Sequence, residues 1–461
     1  MNTNIVSPVI EKSDEKFSIL GKKLPEISFS SFETSRLKNT ELVWVNEELL
    51  EKYGIQGSSV DIERYLLGEY SYVSSGYVNP SRLITSDCKT FWADRYGSRH
   101  EVCNGGSARC GFDGYFQVKG VGLTPLLSQN MSKSHSNGKL FLDEAILETV
   151  WGEVCHRHLP FGAVRTLAII KTNVQEEFLY SDERPKKPCA LAVREFSVRP
   201  AHFERATFFW PSSEHISLRY DDAKRVRESI KFLPIALGLV NTELSGKQDL
   251  YDCLNTIILR ISKQIAYSRV KGIPHGSLTS SNIGIDGRFL DFGTITAVPD
   301  FGNYALANGV GAVWDDHKLI SDWLMNLFVT LKKYAFFGGD LSYEYLSGLL
   351  DTFLNELERQ ENIAILEELG VSEVNENNLA IAKDIKLNLV SSHRVNIGDF
   401  KDEVFRKKIK RIALSKGLKV GKVKFELRKF KYSSFDILNN KDLHNQKYSK
   451  DSIGNLIKSY C

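Results

Sequence analysis

The sequence predicts an α+β chain, with a mostly antiparallel sheet in its first half and helices in its second. Three observations carry that reading. Thr166 to Lys171 and Cys189 to Glu195 are short apolar stretches between polar loops, as strands are. Tyr115 to Lys119 alternates, with Phe116 and Val118 on one side and Tyr115, Gln117 and Lys119 on the other, the period of a half-buried strand. From Ala223 onward the apolar residues take helical spacing instead.

In chain order, residues 1–23 are polar and expected to be loose. From Leu24 to Gly54 a turn-rich piece leads into a short helix. Residues 55–113 are rich in Gly, Ser and Tyr and give few periodic signals; Gly105 to Arg109 is a small-residue turn carrying one cation. Asp143 opens a helix in which Leu147, Val150, Trp151 and Val154 share a face, and its acidic start suits the helix dipole. Ala223 to Val240 is a helix broken at Pro234. Ser245 caps the next, whose stripe runs through Leu250, Leu254, Ile257, Ile258, Ile261 and Ile265 until Gly272 closes it. Asp315 to Tyr334 and Leu341 to Leu357 are further amphipathic helices. The tail from Phe405 to Tyr432 is basic, and alternation of Val423, Phe425 and Leu427 makes part of it a strand.

Composition narrows the class. The chain has 461 residues, 42% hydrophobic and 25% charged, enough for two or three domains or one two-lobed enzyme. A net charge of +3 supplies no global field toward nucleic acid or membrane, and the basic tail reads first as a solvated face. Nucleic acid is therefore not an expected partner. The seven cysteines form no Cys-x-x-Cys pair, which argues against a disulfide framework and structural zinc. The N-terminal stretch lacks the apolar core of a signal peptide, and the longest apolar run, Phe232 to Val240, is too short to span a bilayer. A soluble cytoplasmic protein is expected.

The chemistry concentrates between His275 and Gly293 (HGSLTSSNIGIDGRFLDFG). An Asp286-Gly287 pair between short apolar runs signals a hairpin. That hairpin would bring Asn282 and Asp291 to neighbouring strand ends, where an amide oxygen and a carboxylate can ligate Mg²⁺ on a nucleotide's phosphates. Protein kinases use such a pairing, an Asn of the catalytic loop with the Asp of Asp-Phe-Gly. Upstream, Lys119 ends a strand before a Gly-rich loop, and Glu148 lies one turn into the following helix. A Lys–Glu pair of this kind aims an ammonium at phosphates. Arg194 and Arg199 could clamp a polyphosphate bidentately.

These motifs resemble the SelO (YdiU) family from about Leu24 to about Asn326. Lys119-Gly120-Val121-Gly122-Leu123-Thr124-Pro125 matches the family's Lys-Gly-Ala-Gly-x-Thr-Pro and is the most specific likeness. Gly106-Ser107-Ala108-Arg109 stands for its Gly-Asp-Gly-Arg turn, and Asn137-Gly138-Lys139 for its Asp-Gly-Arg. The helix Glu falls on Glu148. Arg194, Arg199 and Ala201-His202-Phe203-Glu204 match its two arginines and Gly-His-Phe-Glu. His275-Gly276…Asn282, Asp291-Phe292-Gly293 and Gly302-Asn303-Tyr304-Ala305-Leu306-Ala307-Asn308 match its later elements.

The resemblance implies a bilobal, protein-kinase-like fold. Residues 24–210 would form the N-lobe, 211–334 a helical C-lobe with the metal-binding hairpin, and 335–461 a helical and basic extension. It also implies ATP and Mg²⁺. Gly106, Ala108, Arg109, Lys119, Asn137, Gly138, Arg194, Arg199 and Asp291 would hold nucleotide. Asn282 and Asp291 would hold metal, and Lys119, Glu148, Asn282 and Asp291 would form the catalytic set.

One departure matters. Ser281 stands where the family has an Asp, assigned there as the base for an acceptor hydroxyl. Serine is no base at neutral pH. Either the chain is an inert nucleotide-binding subunit, or its acceptor is already an anion such as a carboxylate, giving an acyl-adenylate. The second reading fits the resemblance to MchC-type relatives of siderophore-microcin maturation, in which a peptide C-terminus is esterified to a siderophore. It implies an acyltransferase-like partner subunit and a peptide or protein acceptor. AMP transfer to Ser, Thr or Tyr hydroxyls is the alternative.

Overall fold

In the computed structural model, residues 22–98, 103–131, 137–179, 183–306, 311–391, 393–395, 402–426 and 450–460 are described. The expected loose segment up to residue 21 and Leu427 of the tail lie outside them, as do Ala307 and Asn308. The chain forms two compact units. One comprises residues 1–153, 164–244 and 439–461; the other comprises 154–163 and 245–438. The expected boundaries at 210 and 334 do not coincide with these units. The helices of 211–244 belong with the sheet, and residues 335–438 belong with the second unit's helices.

The first unit is built on an antiparallel sheet. Its strands are β1 (Phe29–Leu37), β2 (Glu41–Val45), β3 (Tyr72–Ser74), β4 (Leu83–Asp94), β5 (Cys110–Phe112), β6 (Phe116–Lys119), β7 (Leu140–Phe141), β8 (Thr166–Glu177) and β9 (Lys186–Glu195). Their order is β2-β8-β9-β6-β5-β4-β1-β3, with β7 beside β9. Registers pair Lys119 with Cys110 on one side and Ala192 on the other, and Gln117 with Arg194. The helices of this unit are α1 (Glu47–Lys52), α2 (Ser59–Tyr70), most of α3 (Leu142–His158), α4 (Ser217–Tyr220), α5 (Asp222–Lys231) and α6 (Leu233–Leu237). Both predicted strands of the 166–195 region are present and longer than expected, and the break between α5 and α6 falls at Phe232, two residues before Pro234.

Three expectations are corrected. The turn-rich 24–54 region carries β1 and β2, and 55–113 carries α2 and β3 to β5. Consecutive polar residues interrupt β1 and β4, so neither shows a clean apolar period. The expected half-burial of β6 is overturned: Phe116, Gln117, Val118 and Lys119 are all buried, because one face packs Phe116 on Tyr53 and Tyr70 while the other meets Asp94, Arg194 and Glu148. The tail expected to be partly strand is a helix over Asp402–Ser415, and Val423 and Phe425 lie in irregular chain.

The second unit centres on α7 (Lys247–Lys271). Its predicted stripe, Leu250, Leu254, Ile257, Ile258, Ile261 and Ile265, has no exposed surface. The expected Ser245 cap is reversed in role: the Asp249 carboxylate accepts from the Ser245 N–H at 3.0 Å, the Ser245 hydroxyl at 2.6 Å and the Gly246 N–H at 3.1 Å. A carboxylate takes several orphan N–H groups at a helix start better than one hydroxyl can. Helices α8 (His317–Tyr334), α9 (Tyr343–Glu368), α10 (Glu376–Leu389) and α11 (Asp402–Ser415) accompany it, with β10 (Asn303–Tyr304) paired parallel to β11 (Arg394–Val395). The α7–α9 contact joins Tyr251 and Tyr345 rings at 4.6 Å and the Tyr267 hydroxyl to Glu367 at 2.7 Å. A last helix, α12 (Lys450–Tyr460), belongs with the first unit.

Truncating the α7 stripe tests this core. Ile261→Ala should cost about 3 kcal/mol in urea unfolding, as buried Ile or Leu truncations do. Leu259→Ala, at a position half exposed on the same helix, should leave the midpoint nearly unchanged.

Candidate functional site

In the first unit the predicted cations converge on one end of the central strands. The Lys119 ammonium pairs with the Glu148 carboxylate of α3. Arg194, on the neighbouring strand β9, reaches the second oxygen of Glu148 at 3.6 Å. Arg109 donates to the Lys139 carbonyl at 3.0 Å and lies 3.9 Å from Glu144. Burial pushes the Glu144 carboxyl above its ordinary value, although Arg109 pulls the other way. Lys119, Arg194 and Arg199 are almost fully buried, whereas the Arg109 side chain is 39% exposed.

The Gly-rich turns are held against this cluster. The Gly120 N–H donates to the Arg109 carbonyl at 2.8 Å, and the Gly122 N–H to the Gly138 carbonyl at 3.1 Å. The Asn137 side chain accepts from the Lys139 N–H at 3.0 Å. Gly106 and Gly138 illustrate why these turns need glycine. At Gly106, with φ +146°, a Cβ would sit 2.1 Å from the Asp94 carbonyl oxygen. At Gly138, with φ +71°, it would sit 2.3 Å from the Gly122 carbonyl carbon. Gly106, Ala108, Arg109, Lys119, Asn137, Gly138, Glu148, Arg194 and Arg199 thus belong to one connected set, rich in positive charge and backbone turns. Such a donor set suits a polyphosphate.

Behind the arginines lies a buried polar network that strand periodicity did not reveal. Gln117 accepts from Arg194 Nε at 3.0 Å and Nη2 at 2.8 Å, and donates through Nε2 to Asp94 at 2.7 Å. His202 Nε2 lies 3.1 Å from the other Asp94 oxygen, and its Nδ1 accepts from the Arg199 N–H at 2.9 Å. The Arg199 guanidinium lies over the Tyr96 ring at 5.0 Å. Burial alone would raise Asp94, yet the His202 hydrogen bond and the nearby Arg199 charge hold its carboxyl at about 2. Burial holds His202 below its ordinary value, so the imidazole is neutral at pH 7.

The second unit carries the metal-ligating candidates. No regular strands form at 282–291; the hairpin is a single bridge, Ile283 with Phe289. Its turn is closed by Gly287 N–H to the Gly284 carbonyl at 2.9 Å, and the Leu290 N–H donates to the Asn282 carbonyl at 3.2 Å. That last bond puts Asn282 beside the residue preceding Asp291. The Asn282 Nδ2 donates to the Ser277 carbonyl at 2.9 Å, so the amide is oriented and Oδ1 turns the other way. Asp291 has φ +60°, a left-handed conformation that costs a residue with a Cβ roughly 1 kcal/mol. Buried Leu290 and Phe292 on either side impose it, leaving Asp291 partly exposed. Strain of this kind concentrates at functional sites. Two oxygen donors of this type suit a hard divalent cation such as Mg²⁺.

His275 pins the same loop. Its Nδ1 accepts from the Ser277 N–H at 3.3 Å, and Nε2 donates to the Leu290 carbonyl at 2.9 Å. Only the neutral ring can do both, and burial holds His275 below its ordinary 6.5. The sign follows: below pH 6.5 the unfolded chain binds protons that folded His275 and His202 refuse. Their contribution is present above 6.5 and lost on acidification. The melting temperature should therefore fall as pH drops below 6.5, and His275→Gln should show a shallower fall.

Comparison with known proteins identifies the family. A family model described as "Protein adenylyltransferase SelO" matches residues 105–458. The "Protein nucleotidyltransferase YdiU" of Trichodesmium erythraeum (strain IMS101) is 28% identical over 193 residues, 40% of this chain and 37% of that protein. The protein of the same name from Shewanella loihica (strain ATCC BAA-1088 / PV-4) is 27% identical over 194 residues, 41% of this chain and 36% of that protein. The alignments span little more than a third of either relative. No helix among the described residues is long and apolar enough to cross a membrane. With a family match running across most of its length, the chain belongs to the SelO family.

Proposed function

We propose that the chain is an ATP- and Mg²⁺-dependent adenylyl transferase of protein-kinase-like design whose acceptor is a carboxylate. The first unit's Lys119, Arg109, Arg194 and Arg199, with the turns at Gly106-Ala108 and Asn137-Gly138, would hold the phosphates of ATP. Glu148 would keep Lys119 extended toward them. In the second unit, Asn282 and Asp291 would hold the metal ion, whose contribution would be charge neutralisation.

The observation that carries the choice of acceptor is Ser281. Its hydroxyl lies 3.0 Å from that of Thr279 and 3.4 Å from Asn282 Oδ1. A hydroxyl so placed can orient a neighbour but cannot take a proton from an alcohol at neutral pH. A carboxylate acceptor needs no such help, because it is already ionised. Its oxygen would attack the α-phosphorus of ATP as the bond from that phosphorus to the bridging oxygen breaks. Pyrophosphate leaves with the electron pair, and the acyl-adenylate remains. A peptide C-terminus is the carboxylate favoured, passed on to a siderophore or similar hydroxyl by an acyltransferase-like partner. The second reading, AMP transfer to a protein hydroxyl, is favoured by the family's description as a protein adenylyltransferase.

Incubation with ATP, Mg²⁺ and an acceptor peptide should release pyrophosphate and form a hydroxylamine-labile AMP adduct. Asp291→Ala should lower the rate at least about 100-fold, the scale of losing one preorganised stabiliser of transition-state charge. A hydroxylamine-stable adduct would establish the second reading. Release of ADP would make the chain a phosphoryl transferase, and ATP binding without pyrophosphate release would make it an inert subunit.

A further inference from the structure

Arg194 and Arg199 belong to different segments, one on strand β9 and one in the loop after it, yet their surroundings meet at a single carboxylate. We infer that Asp94 is a positioning residue that sets the aim of the Arg194 guanidinium through Gln117 and holds the Arg199 backbone through His202.

The argument rests on groups that can play only one role. A carboxylate accepts and a guanidinium or backbone N–H donates; neither can reverse. Gln117 stands between Asp94 and Arg194, so its amide has one possible orientation: Nε2 toward Asp94 at 2.7 Å, Oε1 toward Arg194 at 2.8 Å and 3.0 Å. His202 stands between Asp94 and the Arg199 backbone, so its ring has one possible tautomer: the proton on Nε2, the lone pair on Nδ1 facing the Arg199 N–H. All of these groups are buried, where an inverted hydrogen bond cannot be replaced by water. Asp94 also accepts from the Ser107 N–H through its backbone carbonyl at 2.9 Å, tying the Gly106 turn to the same point.

Replacing the carboxylate by an amide makes the consequence specific. Asp94→Asn keeps the shape but offers one donor and one acceptor where two acceptors stood. Either Gln117 must flip, turning its NH₂ toward the Arg194 guanidinium, or His202 must change tautomer, turning an N–H toward the Arg199 N–H. Either the Arg194 guanidinium or the Arg199 backbone N–H loses its acceptor, whichever is chosen.

This inference rests on the nucleotide reading for its functional consequence but not for its structural one, and the test separates them. The first measurement is the Arg194 Nε–H resonance by NMR. It should exchange slowly in the wild type, held by Gln117, and at least tenfold faster or at a displaced shift in Asp94→Asn, or else the Arg199 amide should show that change. The second is binding of ATP and of adenosine. Asp94→Asn should weaken ATP at least tenfold while changing adenosine less than twofold, and the ATP penalty should vanish in an Arg194→Ala, Arg199→Ala background. A melting curve confirms that the variant is folded; if it is not, Gln117→Met applies the same two measurements to the Arg194 arm alone. Unchanged Arg194 and Arg199 signals would overturn the inference. So would equal losses for ATP and adenosine, or an ATP penalty that persists without the arginines. Changed signals in a protein whose wild type binds no ATP would uphold the positioning role and refute the nucleotide reading.

Discussion

Burying several cations in the middle of a sheet is the constraint on which the first unit depends. A buried charge left unpaired costs several kcal/mol, so each must find partners of fixed geometry. Lys119 and Arg194 share Glu148; Arg194 also takes Gln117; Asp94 sits behind both that amide and His202. Positive charge is thereby held in place before any ligand arrives. Preorganisation of this sort spares the reorganisation that water would otherwise undergo around a polyphosphate.

The second unit solves a different problem, the presentation of oxygen ligands on irregular backbone. Its ribbon is too short to hold itself by a ladder of hydrogen bonds, so other groups define it. His275 bonds the Leu290 carbonyl, Asn282 bonds the Ser277 carbonyl, and the buried neighbours of Asp291 force its left-handed turn. Both units use a neutral, buried imidazole as an oriented donor and acceptor. The two histidines therefore serve geometry, and neither is poised to exchange protons near neutrality.

The Ser281 substitution changes what such a frame can do. On the proposed reading, the residues suited to nucleotide and metal remain while the expected proton acceptor is absent, which favours an anionic acceptor over an alcohol. The demand placed on the protein then moves from proton transfer to alignment and charge stabilisation, the two tasks that the buried network is built to perform.

Much of this was legible in the amino-acid order. The α7 stripe, the Pro-induced break, the strands around 166–195 and the Asp286-Gly287 turn all follow from local rules of period and turn chemistry. The Lys119–Glu148 pair was legible from strand, loop and helix spacing. The partial exposure expected for β6 was not, since alternation cannot tell an edge strand from one enclosed on both sides. Nor were β1 to β4, whose runs of polar residues, many of them exposed, break any strand period. The partnership of Asp94, Gln117 and His202 was invisible because its members are remote in sequence. Local order determined which elements form and which residues bear charge. Only the packing of α3 and remote side chains onto the face of β6 and β9 decided which of those charges are enclosed, and a buried polar group's role is set by the partners that enclosure brings to it.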